Sequence, residues 1–210
     1  MKHGVLTSAR LLQEQATANG KRTRAAFVTL TYRPGEQWHG RHISETLQAA
    51  RKWHKRLGLR MRYVWVAEMQ QRGAVHYHII FWLPHGYCMP KFDKRGWWPY
   101  GQSNAKWARS PVGYIAKYAS KGKDGPAFPK GIRISGAGGL DVEGRRVCRW
   151  WRAPAECRET LGPLADIRRI IGGRFDAVTG LFWDSPWRYL LVNGVPNLLK
   201  ISKGETPCFA

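Results

Sequence analysis

Acidic side chains are scarce in this chain. Its 210 residues carry 14 Asp and Glu against 35 Lys and Arg, a formal net charge of +21. Such an excess self-repels in a compact fold unless a polyanion balances it, and nucleic acid is the usual one. Long apolar runs are also missing. No stretch approaches the roughly 20 apolar residues of a membrane-spanning helix, so no membrane partner is expected. The opening MKHGVLTSARLLQEQ has no continuous apolar region and no small-residue cleavage site, and is not expected to be a signal peptide. The four cysteines, Cys88, Cys148, Cys157 and Cys208, form no C-x-x-C pair. They read as free thiols in a reducing cytoplasm, neither a disulfide framework nor a zinc knuckle. No G-x-x-x-x-G-K-[ST] motif is present, which argues against a P-loop helicase or ATPase. There is no internal repeat and no low-complexity tract.

What is present is enough for a core. The length suits one domain, with or without a small appendage, and 43% hydrophobic residues with 23% charged is ordinary globular material. The positive charge is uneven. Residues 1–125 hold 22 basic and 6 acidic residues, a net of +16, and residues 126–210 hold 13 and 8, a net of +5. The polyanion-facing surface is therefore expected in the first part.

Three stretches are expected: residues 1–24 as a basic N-terminal arm or short helix, 25–125 as a core, and 126–210 as an extension completing it or appended to it. Ala25–Tyr32 alternates like a strand and stops at Arg33-Pro34-Gly35. Ile43–Leu57 has helical spacing and a glycine stop at Gly58. Arg62–Met69 and Val75–Leu83 read as an antiparallel hairpin joined through Gln70–Ala74. Residues 85–109 have no period and read as an ordered loop. Ser110-Pro111 opens a helix running to about Lys121. Gly125–Gly139 reads as a connection and Arg145–Trp151 as a strand. Pro154–Leu161 and Leu164–Ile171 read as short helices, and Phe182–Val192 as one or two strands.

His76 and His78 share one face of their strand. Glu68 lies at about the same height on the partner strand if the hairpin closes around Arg72-Gly73. Two imidazoles and a carboxylate make a three-donor divalent site, suited to Mg²⁺ or Mn²⁺ when a phosphate supplies further ligands. The H-x-H spacing alone is equally consistent with two strand histidines satisfied by backbone partners.

On the helix, Val112, Ile115, Ala116 and Ala119 form an apolar face. Tyr114, Lys117, Tyr118 and Lys121 repeat that spacing on the opposite side, roughly 160° away at about 100° per residue. Taken alone this is an amphipathic helix with two incidental tyrosines. Beside a metal site it suits attack on a phosphodiester. A cation favours the phenolate, and a divalent ion stabilises charge on the phosphoryl group.

These motifs resemble, in order, those of the HUH endonucleases that initiate rolling-circle replication. Phe27-Val28-Thr29-Leu30-Thr31-Tyr32 resembles the first motif, His76-Tyr77-His78 the H-U-H motif, and Tyr114-Ile115-Ala116-Lys117-Tyr118 the Y-x-x-K-Y motif. The paired tyrosines most resemble the initiators of single-stranded DNA bacteriophages, and the small size and missing helicase motif look more like those of filamentous phages and small plasmids. The resemblance implies an α+β fold: a central antiparallel sheet flanked by helices, with a ferredoxin-like or RRM-like core and the histidines on a middle strand. It implies metal binding by His76 and His78, with Glu68 the candidate third ligand. It implies attack by Tyr114, alternation with Tyr118, and Lys117 near the phosphate. The implied activity is nicking and rejoining of origin DNA through a 5′-phosphotyrosine, in a bacterial host's cytoplasm. The implied partners are single-stranded or hairpin origin DNA, with a host helicase as a candidate. An HUH transposase or relaxase is a neighbouring alternative, and a non-catalytic single-stranded DNA or RNA binder a distant one. The bulky Tyr77 as the U residue departs from the pattern.

Eleven tryptophans need explaining. Trp53, Trp65 and Trp82 fall inside expected elements. Trp97, Trp98 and Trp107 lie among Lys91, Lys94, Arg95, Lys106 and Arg109, either as a base-stacking platform or as a loop cemented onto the sheet. Arg72, Arg95, Lys106, Arg109, Lys121, Trp97 and Trp98 are the expected nucleic-acid contacts. Binding is expected to weaken steeply with salt.

Overall fold

The computed structural model describes residues 2–20, 22–71, 73–120, 128, 132–192 and 195–200. They form two compact units, 1–144 and 145–210.

The first unit is an α+β fold around one antiparallel sheet. Strand β1 spans Thr23–Tyr32, β2 Arg62–Met69, β3 Val75–Pro84, β4 Gly101–Ala108 and β5 Ser135–Gly138. Their order is β4-β1-β3-β2-β5, so β3 is the middle strand. Every neighbouring pair runs antiparallel. Helix α1 (Lys2–Thr17), α2 (His42–Arg56) and α3 (Pro111–Ser120) flank it.

Alternation along the strands sorts the side chains onto two faces. One face carries Leu30, Trp65, Tyr77, Ile79 and Phe81, and packs with Ile43, Leu47 and Ala50 of α2 and with Phe92 and Trp98 into the main core. The other face carries Phe27, Thr29, His76 and His78. Helices α1 and α3 pack on each other and against β2 and β3. Helix α1 buries Val5, Ala9, Leu12 and Ala16, a helical stripe that holds it down. The stretch expected as an arm or short helix is this integral helix, and the first unit also includes β5.

Two strands escape the reading of residues 85–109 and 125–139 as connections. Strand β4 (GQSNAKWA) is an edge strand paired only with β1 and is rich in polar and small residues, so it lacks the β-branched signal. Strand β5 is SGAG because aromatic rings lie over it. A Cβ on Gly136 would come within 2.6 Å of the Trp65 indole, and one on Gly138 within 2.5 Å of the Tyr63 ring. These glycines make room for side chains of the neighbouring strand.

Arg145–Trp151, expected as a strand, belongs to helix α4 (Val142–Trp151). Asp141 caps its first turn, accepting from the Gly144 amide at 2.7 Å. In the second unit, α5 covers Ala155–Thr160. Strands β6 (Ile167–Ile170), β7 (Gly173–Asp176) and β8 (Phe182–Asp184) form a three-stranded sheet, and β9 (Trp187–Val192) pairs with β10 (Val195–Lys200). Leu164–Ile171, expected as a helix, is thus largely strand. The β-branched isoleucines favour it, and Gly172, at φ 83°, makes the tight turn into β7. Ala153, Cys157 and Ile167 form this unit's small core.

Candidate active site

The site is built on the central strand. In β3 the two-residue period sends His76 and His78 to the same face, beneath helix α3. Strand pairing sets their neighbours. Thr31 and Glu68 lie opposite His76 on either side, and Thr29 and Val66 lie opposite His78. Glu68 does not stay in its own row. Its carboxylate reaches diagonally to His78 Nε2 at 2.6 Å, a reach that long side chains make across antiparallel strands. The Thr29 hydroxyl approaches His78 Nδ1 at 3.4 Å, the outer limit of a hydrogen bond. Both histidines are buried.

Phe27 joins the sheet to the tyrosine helix. Its ring lies 5.6 Å from His78, 5.4 Å from Tyr114 and 5.7 Å from Tyr118, centroid to centroid. Tyr118 itself stacks on His78 at 3.6 Å. The structure therefore brings Tyr114, Tyr118, His78 and Glu68 to one place. The tyrosine stripe lies against the sheet, not in open solvent. Ile115 and Ala119 are buried as expected, yet both phenol rings are half-buried on the sheet and only Lys117 of the described stripe is exposed. The cation beside the rings comes from the sheet edge. Lys106 Nζ lies 5.9 Å from the Tyr114 ring and 5.5 Å from the Phe27 ring, within cation–π reach of about 6 Å.

The three-donor cage is not closed. Among the described residues no group of three or more His, Cys, Asp or Glu side chains could hold a metal ion as placed. His78 and Glu68 meet, while the His76 ring centroid stands 6.4 Å from that of His78. The donor set still fits a divalent ion in kind. Two imidazoles and a carboxylate share one face, and His76, His78 and Glu68 are the residues that would hold such an ion. Completing the set requires His76 to turn toward that pair.

The remaining expected contacts separate. Trp98 is 0% exposed and its indole donates to the Thr31 carbonyl at 3.1 Å, so it cements the core and cannot stack on bases. Trp97 is half-buried against Trp53 and Phe92 on that same α2 side. Arg95 is exposed on the segment carrying Phe92 and Trp98, the face opposite the histidines. Arg109 is exposed just before α3. Arg72 and Lys121 lie outside the described residues.

Tyr77 takes a defined place. Its ring is wholly buried on the core side, and its hydroxyl accepts from Trp38 Nε1 at 2.7 Å. Burial pushes its phenol pKa up, against the lowering effect of that hydrogen bond. The sequence reading missed Phe27 as the shared floor and Lys106 as the neighbouring cation. The alternation of β1, which puts Phe27, Thr29 and Thr31 on the histidine face, carried the first signal. The second required β4 to be seen as a strand.

Residues 25–123 match the family model of the replication-associated protein ORF2, a little under half of the chain. The match supports a part in DNA replication and its initiation. No curated protein and no solved structure matches the chain. Among the described residues no helix is long and apolar enough to cross a membrane.

Proposed function

We propose that this protein initiates rolling-circle replication by nicking and rejoining origin DNA through a covalent 5′-phosphotyrosine. One observation carries the reading: two tyrosines one helical turn apart share the Phe27 ring with His78, whose edge is bonded to Glu68. The phenol oxygen of one tyrosine attacks the phosphorus, and the bond from phosphorus to the 3′ oxygen breaks. The phenolic proton goes to solvent, and the departing 3′ oxygen takes one up. The tyrosyl ester keeps the energy of the broken bond, so a later 3′ hydroxyl can reverse the step. Tyr114 and Tyr118 are neighbours on the helix surface, so one can hold a strand end while the other attacks.

A divalent cation, Mg²⁺ or Mn²⁺, held by His76, His78 and Glu68 would polarise a phosphoryl oxygen and offset the charge that builds there. Phe27 floors the site and excludes water from beneath the rings. Lys106 and Lys117, both exposed, hold the backbone phosphates. The expected partner is single-stranded or hairpin origin DNA, with a host helicase as a candidate to open it.

The test is direct. The protein is incubated with single-stranded oligonucleotides and Mn²⁺, then run on a denaturing gel. A covalent adduct should form and should vanish in the Tyr114→Phe/Tyr118→Phe double variant. Adduct persisting in the double variant refutes the tyrosine assignment. Binding without any adduct would favour the non-catalytic single-strand binder instead.

A further inference from the structure

A second feature lies at the other end of β1 and β3, where Ala25 and Trp82 come from the histidine face and Arg24 and Trp107 from the opposite face. A cavity of about 330 Å³ is walled there by Gln13 of α1, Arg24 of β1, Trp82 of β3, Trp107 and Arg109 at the end of β4, and Pro111 of α3. Its floor includes Ala25, paired with Trp82 on one side and Ala108 on the other. Ala25 precedes Phe27 by one strand repeat of roughly 7 Å. Pro111 lies one helical turn before Tyr114. The cavity therefore sits beside the phenols and not across the molecule from them.

Its polar walls are incomplete. The indole Nε1 of Trp82 and the amide Oε1 of Gln13 are both closed off from solvent, and neither has a hydrogen-bond partner among the described residues. One is a donor and the other an acceptor, and they do not bond each other. Buried polar groups are rarely left so, because each forfeits its bonds to water. The Arg24 guanidinium lies 4.4 Å above the Trp107 ring, a flat cationic and aromatic wall, and exposed Arg109 adds a second cation.

We infer that this cavity receives one nucleobase of the bound DNA strand, beside the phosphate offered to the tyrosines. The inference rests on the nicking reading above. A base edge sets an acceptor next to a donor, and answers both orphaned atoms when the Gln13 and Trp82 side chains turn toward it. The ring face suits the aromatic wall, and the flanking phosphates suit Arg24 and Arg109. The volume is at the low end of small-molecule sites, roughly 300–1,000 Å³, which fits one base and not a duplex.

The test uses the full chain and a single strand selected by binding from a random pool. An abasic residue is scanned through that strand and affinity is read by fluorescence anisotropy. One position, adjacent to the phosphate joined in the adduct, should lose roughly tenfold in affinity when abasic. Trp82→Phe and Gln13→Leu should each weaken binding of the intact strand about threefold to tenfold. Neither should weaken binding of the strand abasic at that position. Gln13→Leu, on a half-exposed helix position, answers the question if Trp82→Phe fails to fold. A flat scan, or variants that weaken intact and abasic strands alike, overturns the inference. So does saturable binding of free deoxynucleoside monophosphates that does not compete with the strand, which would assign the cavity to a free nucleotide. Adduct formation in the same protein separates the two readings. Adduct with a flat scan removes only the base pocket, whereas a position-specific scan without adduct removes the nicking reading.

Discussion

The Tyr118 ring lies nearly flat on the His78 imidazole, with planes 20° apart. Stacking covers the face of the imidazole and leaves its in-plane Nε2 direction to Glu68. A phenol and a ligand nitrogen can thus occupy one spot without competing for the same lone pair. Tyr118→Phe keeps the stack and removes only the hydroxyl. It should leave stability within about 0.5 kcal/mol while adduct still forms through Tyr114. Rejoining of a labelled strand to a second 3′ end, read on the same gel, should fall sharply. Tyr118→Ala should in addition cost about 0.5–1.5 kcal/mol for the lost ring pair.

Glu68→Gln tests the cation. The amide keeps the size and a hydrogen bond to His78 but loses the charge. The Mn²⁺ concentration for half-maximal adduct should rise by at least about tenfold. Strand binding in EDTA should barely change. Equal losses in both measurements would make Glu68 a structural residue.

Trp98→Ala separates core from interface. The indole is fully buried and bonded to the Thr31 carbonyl, so its removal should cost about 3–5 kcal/mol in urea unfolding. Lys106→Ala, at an exposed edge position, should be nearly neutral in the same experiment. It should weaken strand binding and flatten its salt dependence by close to one unit of slope.

A pH dependence follows from two imidazoles away from the site, His54 buried and His42 partly buried. His54 is 1% exposed in α2 and donates to the Ala50 carbonyl at 2.8 Å. Burial lowers its pKa from the ordinary 6.5, partly opposed by that hydrogen bond. His42 is lowered too, by burial and by His39, against the pull of Glu45 and Glu36. The folded state therefore binds fewer protons than the unfolded chain once pH drops below 6.5. Stability from these groups is fully present above that value and is lost as pH falls toward their lowered pKa. Thermal unfolding at pH 7.5 and 5.5 should show the loss, at up to about 1.4 kcal/mol per pH unit for each group. In His54→Leu the loss should shrink correspondingly.

The fold and the meeting of tyrosines with histidines were legible because they follow from strong local periods. The H-x-H spacing, the hairpin and the apolar stripe of α3 each obey one rule of geometry. What stayed hidden depends on partners distant in sequence. Strand β4 looks like a loop until β1 pairs with it. Strand β5 is readable only once Trp65 and Tyr63 are placed over its glycines. Charge alone could not separate Arg95, on the core side, from Lys106, beside Tyr114. Nor could composition show that Trp98 faces inward, since an aromatic among cations suits either surface. The partner of the tyrosine stripe was not legible, because helical spacing gives relative directions but not what lies on either side.

Tyr77 stands between the two histidines yet belongs to the opposite face, where Trp38 grips its hydroxyl. It sits below the strand like a keel, wedged against Trp65 and Trp98. Any transplant of a smaller aliphatic residue into this position would let the strand settle, unless residue 38 were exchanged with it. Diversification of the histidine face is therefore tethered to an indole on the other side of the sheet.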